Sequence, residues 1–391
     1  MRRRIQLDLL TLVRIMATAK KKDPFVGREV LEGKFRILKK IGAGGMGAVY
    51  RAEEPDMGRE VAIKILHPNL KGRSDLVSRF RREARAMSQL RHPHTVRVFM
   101  YGELEDGSLY IVMEMLEGKN LNQTVRKGGP MAPSRAIPIV TDSCRALSEA
   151  HDLGIVHRDL KPENIFVCQQ PGMVDYAKVL DFGLAKVTEA QMRPGSMILT
   201  QEGMVFGTPE FMSPEQARGN VLDARSDIYS LACILYEALT GKLPFDAKTP
   251  MEYVGKHVTS APIPLNERVA GRTFPPGLGE VLAKALSKSP DERHQTALEL
   301  AEALDPFANE KVSISAVAPP LSGAASNGAP IPESEKALPP FAGGGRALAN
   351  PGSIPLEQTA RPSVKMLIFV AAICMVLGGV GAVLLMGALG K

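Results

Sequence analysis

His157-Arg158-Asp159-Leu160-Lys161-Pro162-Glu163-Asn164, followed by Asp181-Phe182-Gly183 at the end of the strand-like run Ala177 to Leu180, decides how this chain is read. The first stretch comes after an apolar helical segment, the second after a short strand. Transferring a phosphoryl group requires little covalent chemistry from a protein and much positioning of charge. Asp159 can accept a hydrogen bond from an incoming hydroxyl and orient it. Asn164 and Asp181 are hard oxygen ligands of the kind that magnesium selects. Lys161 can neutralise charge on a moving phosphate. Each piece is unremarkable alone; their order and spacing give the set its meaning.

Working toward the N-terminus, Ile41-Gly42-Ala43-Gly44-Gly45-Met46-Gly47-Ala48-Val49 fits G-x-G-x-x-G-x-V. Glycines let a backbone turn tightly and approach phosphate oxygens. A dinucleotide-binding turn has a similar run, but it needs a helix directly after the glycines. Ala48 to Ala52 reads instead as a strand, which favours a glycine-rich hairpin. Val61-Ala62-Ile63-Lys64 lies on the next strand, so Ala62 and Lys64 share a face. One leaves room for an aromatic ring; the other offers a charge to phosphates. A helix from Ser74 to Leu90 carries the apolar stripe Leu76, Phe80, Met87 and Leu90. Glu83 falls inside that stripe, where a carboxylate needs a cation, and Lys64 is the expected partner.

Taken together these motifs resemble the protein kinase template. The chain is similar to the eukaryotic-like serine/threonine protein kinases, most closely their bacterial membrane-anchored branch, over about residues 35–305. The resemblance implies an α+β fold of two lobes, a small β-rich N-lobe (35–115) and a larger helical C-lobe (116–305), with ATP in the cleft. It implies that Gly42, Gly44 and Gly47 cover the phosphates, that Ile41 belongs to the ATP-binding site, and that Lys64 binds the α- and β-phosphates and pairs with Glu83. Asp159 is then the catalytic base, assisted by Lys161. Asn164 and Asp181 hold Mg2+, for which Mn2+ can substitute. Met113 becomes the gatekeeper; Glu114 and either Leu116 or Met115 meet adenine through the backbone; Val49, Ala62 and Phe166 sandwich its ring. Lys161-Pro162-Glu163 is the pattern for serine and threonine acceptors in proteins.

By the same resemblance, Gly207-Thr208-Pro209-Glu210 and Ser213-Pro214-Glu215 close an activation segment. Thr208 should then hydrogen-bond near Asp159, Glu215 should pair with Arg293, and Asp227 should anchor the catalytic-loop backbone. Ser213, Tyr229 and Ala232 depart from the residues usual in this family, Ser213 as a mild change and Tyr229 and Ala232 as packing changes. Arg158 beside the base could pair with a phosphate on the activation segment and order it. Thr188, Ser196 and Thr200 are candidates, with Thr200 best placed by the resemblance and Glu202 a fixed negative charge nearby.

Outside this domain the chain changes character. Residues 1–34 form a basic, partly apolar leader, with Arg2, Arg3, Arg4, Lys20, Lys21 and Lys22. It is too broken to span a bilayer, and Met16 is an alternative start. Residues 306–365 are rich in Pro, Ala, Gly and Ser and cannot bury enough apolar surface to fold. A flexible linker of about 60 residues reaches roughly 40 Å. Residues 366–390 contain no charged side chain and are long enough to cross a bilayer. Arg361 and Lys365 before this run orient the kinase domain to the cytoplasm, at the inner membrane. Gly378, Gly379, Gly381 and Ala382 could let two such helices approach as a homodimer. With only Lys391 after the run, input is expected from cytoplasmic partners, lipid, the leader or clustering rather than from an external sensor.

Bulk numbers limit the alternatives. The 391 residues carry a net charge of +7, concentrated in the leader and at Arg79, Arg81, Arg82 and Arg85. No zinc-finger or aromatic-basic motif accompanies it, so nucleic acid is not an expected partner. Four cysteines, Cys144, Cys168, Cys233 and Cys374, form no C-x-x-C pair and read as reduced thiols. Three rival readings are a catalytically weak pseudokinase or scaffold, a small-molecule phosphotransferase and a membrane adaptor. The first would lack one of Lys64, Asp159, Asn164 or Asp181. The second would lack the 207–215 segment. The third would make the linker the working part.

Overall fold

A computed structural model of the protein describes residues 23–44, 47–66, 74–170, 172–182, 208–310 and 313–314. The leader up to residue 22, Gly183, the activation-segment residues Thr188, Ser196, Thr200, Glu202 and Gly207, and the run at 366–390 lie outside them. No helix among the described residues is long and apolar enough to cross a membrane.

The N-terminal part is built on antiparallel strands. These are β1 (Glu29–Val30), β2 (Phe35–Gly44), β3 (Gly47–Glu54), β4 (Arg59–Leu66), β5 (Val98–Glu103) and β6 (Leu109–Glu114), in the order β1-β2-β3-β4-β6-β5. Side chains alternate across a strand, and β4 shows the consequence. Val61, Ile63 and Ile65 enter an outer core with Phe35, Ile37, Tyr50 and Val112. Ala62 and Leu66, one residue out of phase, enter the main core with Ile111 and Met113. Lys64 shares that inner face.

The outer core is capped by Phe25, Val26, Val30 and Leu31, and the Tyr50 hydroxyl donates to Asp23 at 3.1 Å. The boundary expected at residue 35 therefore cuts through packing. Phe25-Val26 and Val30-Leu31 form an apolar patch that seals one sheet face. At the other end, β10 (Arg272–Thr273) pairs with β11 (Ser313–Ile314), so ordered backbone continues past residue 306.

The inner face is covered by helix α1 (Ser74–Met87), with Phe80, Ala84 and Met87 buried. Below lie α2 (Leu121–Gly128), α3 (Pro133–Asp152), α4 (Pro214–Ala217), α5 (Ala224–Thr240), α6 (Pro250–Thr259), α7 (Leu265–Arg268), α8 (Leu278–Ala285) and α9 (Ala297–Leu304). Helix α5 is the axis of this half. Asp223 caps its first turn by accepting from the Arg225 amide, and Gly241 closes it in the left-handed conformation. Between these ends nearly every residue is buried, as expected of a helix surrounded by others. The two halves share one apolar core, which runs from the sheet through α1 to α3, α5 and α9. The two-lobed α+β expectation holds.

Strands β7 (Gly118–Asn120), β8 (Ile165–Gln170) and β9 (Met173–Val179) form a small sheet where the chain crosses between the halves. Gly118 sits there at φ 150°, and a Cβ on it would lie 2.2 Å from the Val167 carbonyl oxygen. Both the backbone angle and the collision oppose any side chain. Gly118→Ala should cost about 2–3 kcal/mol of stability, read as a lower urea midpoint. An unchanged midpoint would show that β7 can move off β8 freely.

Candidate active site

The loop between α3 and β8 is held by one buried carboxylate. Asp227, in the first turn of α5, accepts from the His157 amide at 2.8 Å and the Arg158 amide at 3.0 Å. The His151 ring donates to the same group at 2.8 Å. His157 itself reaches across to the Leu180 carbonyl at 2.8 Å, and its ring packs, tilted by 52°, 5.0 Å from that of Phe182, which is fully buried. Gln216 adds a clamp from α4, donating to the Arg158 carbonyl at 2.9 Å. Two non-glycine residues in this region, Arg158 (φ 68°) and Asp181 (φ 57°), are left-handed. Such backbone is held only where the surroundings over-determine it, and it clusters at functional sites.

On this frame the predicted polar residues converge. The Lys161 ammonium lies 2.7 Å from an Asp159 carboxylate oxygen. Asn164 uses its amide N–H on the Asp159 carbonyl at 2.7 Å, which leaves its side-chain oxygen as an acceptor. The Leu180 amide bonds to the Asn164 carbonyl at 2.8 Å, so Asn164 and Asp181 are tied in register. From the sheet above, Lys64 reaches Asp181 at 2.8 Å. Burial pushes the Asp181 carboxyl up. The Lys64 ammonium, with His157 and Lys161 behind it, outweighs that effect and holds the carboxyl below its ordinary value. An amide oxygen beside a carboxylate is a hard donor pair that fits Mg2+ or Mn2+.

The ion pair formed by Lys64 is thus with Asp181, across the cleft. Glu83 lies on the inner edge of α1, with the Arg82 guanidinium 4.0 Å away. Its side chain is only 12% exposed, so it stands among buried groups as its place in the stripe suggests. Thr208 makes no hydrogen bond to Asp159 among the described residues; Asp159 is engaged by Lys161 instead.

Around the cleft, Gly42 faces Val49 across the β2–β3 hairpin, and Gly44 faces Gly47. A Cβ on Gly44 would meet nothing within 4 Å, whereas one on Gly47 would strike the Ile65 carbonyl oxygen at 2.2 Å. Gly47 is therefore required by the sheet itself, Gly44 leaves open space on the hairpin, and a Cβ on Gly42 would touch Val49 at an ordinary 3.8 Å. Ile41 is exposed, and Ala62 pairs with Met113 in the sheet. Met115 and Leu116 pack half-buried on the main core. Phe166, between the buried Ile165 and Val167, turns to the opposite side of β8.

Two supports escaped the sequence reading. Lys178 of β9 donates to the Glu114 carboxylate at 2.6 Å, and the Arg97 amide donates to the same oxygen at 2.8 Å. Gln216 is the other. A lysine set between the apolar Ala177 and Val179 hints at the first; nothing in the sequence marks the second.

Arg293 and Glu215 meet as expected, in a buried bidentate pair with both contacts at 2.8 Å. The Ser226 hydroxyl donates to the same carboxylate at 2.7 Å. Burial pushes Glu215 up, but Arg293 and Ser226 prevail and bring it down to about 2.

Comparison with known proteins bears on this geometry. The family described as protein kinase domain matches residues 35–303. The serine/threonine-protein kinase pkn3 of Myxococcus xanthus is 38% identical over 317 residues, covering 81% of this chain and 57% of that protein. The kinase pkn2 of the same organism is 42% identical over 275 residues, 70% of this chain and 32% of its own length. PknB of Mycolicibacterium smegmatis is 43% identical over 273 residues, 69% of this chain and 42% of its own. This chain therefore spans about a third to somewhat over half of these relatives. Among solved structures, the PknI kinase domain of Mycobacterium tuberculosis aligns with TM-score 0.55 at 25% identity, over 73% of this chain and 99% of that one.

Glu215 gives a pH test. Its folded-state pKa lies below the ordinary 4.5, so its contribution is present above pH 4.5 and is lost as pH falls toward 2. Glu215→Gln strands the Arg293 charge in the core and should cost about 3–5 kcal/mol at neutral pH. Urea unfolding should also show a flatter decline in stability below pH 4.5 than in the parent. A variant as stable as the parent at pH 7 would contradict the pair's role.

Proposed function

This chain belongs to the protein kinase domain family, and on that premise we propose that it transfers the γ-phosphate of ATP to serine or threonine hydroxyls of proteins. The observation that carries the reading is the convergence of Lys64, Asp181, Asn164, Asp159 and Lys161 on one cleft, tied by contacts of 2.7–2.8 Å. A module that only bound partners would have no use for two cations and two carboxylates brought together from the sheet and from two segments that each carry a left-handed residue, Arg158 and Asp181.

The residues have separable tasks. Asp159 accepts the hydrogen bond of the substrate hydroxyl, orients it and takes its proton. Lys161, already at Asp159, lies beside the path of the moving phosphate. Lys64 exchanges Asp181 for the nucleotide's α- and β-phosphates, and Glu83 takes up the lysine from α1. Asn164 and Asp181 hold the divalent ion, Mg2+ or Mn2+, which when bound neutralises charge on the phosphate oxygens. Gly42, Gly44 and Gly47 cover the phosphates, with Gly44 leaving the hairpin open there. Val49, Ala62, Met113 and Phe166 enclose the adenine, and Glu114 and Leu116 offer it backbone groups. Relatives named serine/threonine kinases and the sequence Lys161-Pro162-Glu163 support the acceptor class.

Two further parts of the reading concern regulation and place. A phosphate on Thr200 pairs with Arg158 and orders the activation segment, and Thr208 then closes on Asp159. Residues 366–390 cross the inner membrane with the kinase domain in the cytoplasm, and their glycines bring two copies together. The uncharged run itself is the support for this placement.

The test is incorporation of labelled γ-phosphate by the purified chain into itself and into threonine peptides. Asp181→Asn and Asp159→Asn should each lower turnover by about a hundredfold or more, and label should appear at Thr200 in the parent. Full turnover in Asp181→Asn would overturn the mechanism; absence of label from Thr200 in an active chain would overturn the regulatory part.

A further inference from the structure

Under the 3-10 turn Pro209–Phe211 lies a chain of polar side chains, the buried Tyr229 and His257 and the half-buried Lys288, that the reaction leaves unused. His257 of α6 is fully buried, with Nε2 3.1 Å from the Glu210 carbonyl oxygen. That oxygen can only accept, so Nε2 carries a proton. Burial, reinforced by Lys288, brings the imidazole down to about 4, so near neutrality the ring is uncharged and Nδ1 is a bare acceptor. The Tyr229 hydroxyl, 2.9 Å from Nδ1, therefore donates to it. This leaves the Tyr229 oxygen as an acceptor, and the Lys288 ammonium donates to it at 3.3 Å.

The hydrogen bonds run in one direction, from Lys288 to Tyr229 to His257 to the Glu210 carbonyl. Among the described residues Lys288 has no acidic partner: it sits 4.4 Å over the Phe245 ring, and Phe245 packs 4.9 Å from His257. The neighbouring carbonyl is fixed from the same side, since the Ser230 hydroxyl donates to Phe211 at 2.7 Å. A tryptophan at 229 offers a donor only and could not stand in the middle of this chain.

We propose that Lys288, Tyr229 and His257 act as positioning residues that set the Glu210–Phe211 backbone and thereby govern affinity for the protein substrate, leaving nucleotide affinity untouched. This rests on the kinase reading, because the segment from Thr208 to Glu215 is the peptide platform only in that reading. Aliphatic packing alone would hold the turn in place without a directed chain. A chain ending on a main-chain carbonyl fixes the peptide plane as well as its position.

Steady-state kinetics of the full-length chain test the assignment, with ATP and a synthetic threonine peptide chosen by its turnover with the parent. Tyr229→Phe removes one oxygen, keeps the ring and breaks two links. It should raise peptide KM about fivefold while KM for ATP stays unchanged. His257→Leu should act the same way, whereas His257→Gln, whose amide donates and accepts at once, should restore the parent's peptide KM. If His257→Leu fails to fold, Tyr229→Phe decides. No rise in peptide KM, or an equal rise in both KM values, overturns the positioning role. A parent chain that transfers no phosphate to any peptide overturns the kinase reading instead, and this one with it.

Discussion

The buried carboxylate of Asp227 is the constraint on which the rest of the site depends. It lies in the first turn of a helix enclosed by the core, and it receives two successive main-chain amides, those of His157 and Arg158. A loop held by side-chain contacts alone could tilt. One whose amides point into a fixed carboxylate cannot turn without leaving a charge unpaired in the core, which costs several kcal/mol, of order 3–5. That anchoring keeps Arg158 left-handed, and it sets where Asp159 emerges. His157 extends the same constraint to Leu180, so Asp159 and Asp181 are placed relative to each other through α5.

From this frame the charges divide between the two halves of the molecule. Asp159, Lys161 and Asn164 belong to the helical half, and Lys64 belongs to the sheet. The contact between Lys64 and Asp181 is a polar link across the cleft. In the proposed mechanism it is also the contact that a nucleotide must replace, so the cleft holds a cation and an anion in contact before phosphate and metal take them up. Pre-placed charges of this kind cost no reorganisation at the moment of reaction.

Much of this was legible in the chain itself, and the reasons differ by residue. Ala62 and Lys64 follow from strand alternation, and Glu83 from its place in a helical stripe. The bidentate Arg293–Glu215 pair came from resemblance, since a separation of that size in sequence carries no local signal. The family match begins at residue 35 as read, but the packing of Phe25, Val26, Val30 and Leu31 on the outer core was not legible, because they sit among basic and turn residues with too short a period to register. Gln216 and Lys178 were invisible for a different reason: a side chain that braces a carbonyl or a hinge carboxylate has no preferred spacing. The chain from Lys288 to Glu210 spans three elements and emerges only from atomic distances.

Binding of ATP by the full-length chain, measured calorimetrically with and without Mg2+, tests the central claim most directly. Charges arranged around a metal-bound triphosphate predict saturable, one-to-one binding that weakens sharply when the metal is chelated and when Asp181 is changed to Asn. Equal affinity with and without the divalent ion, or no binding in its presence, would contradict the account.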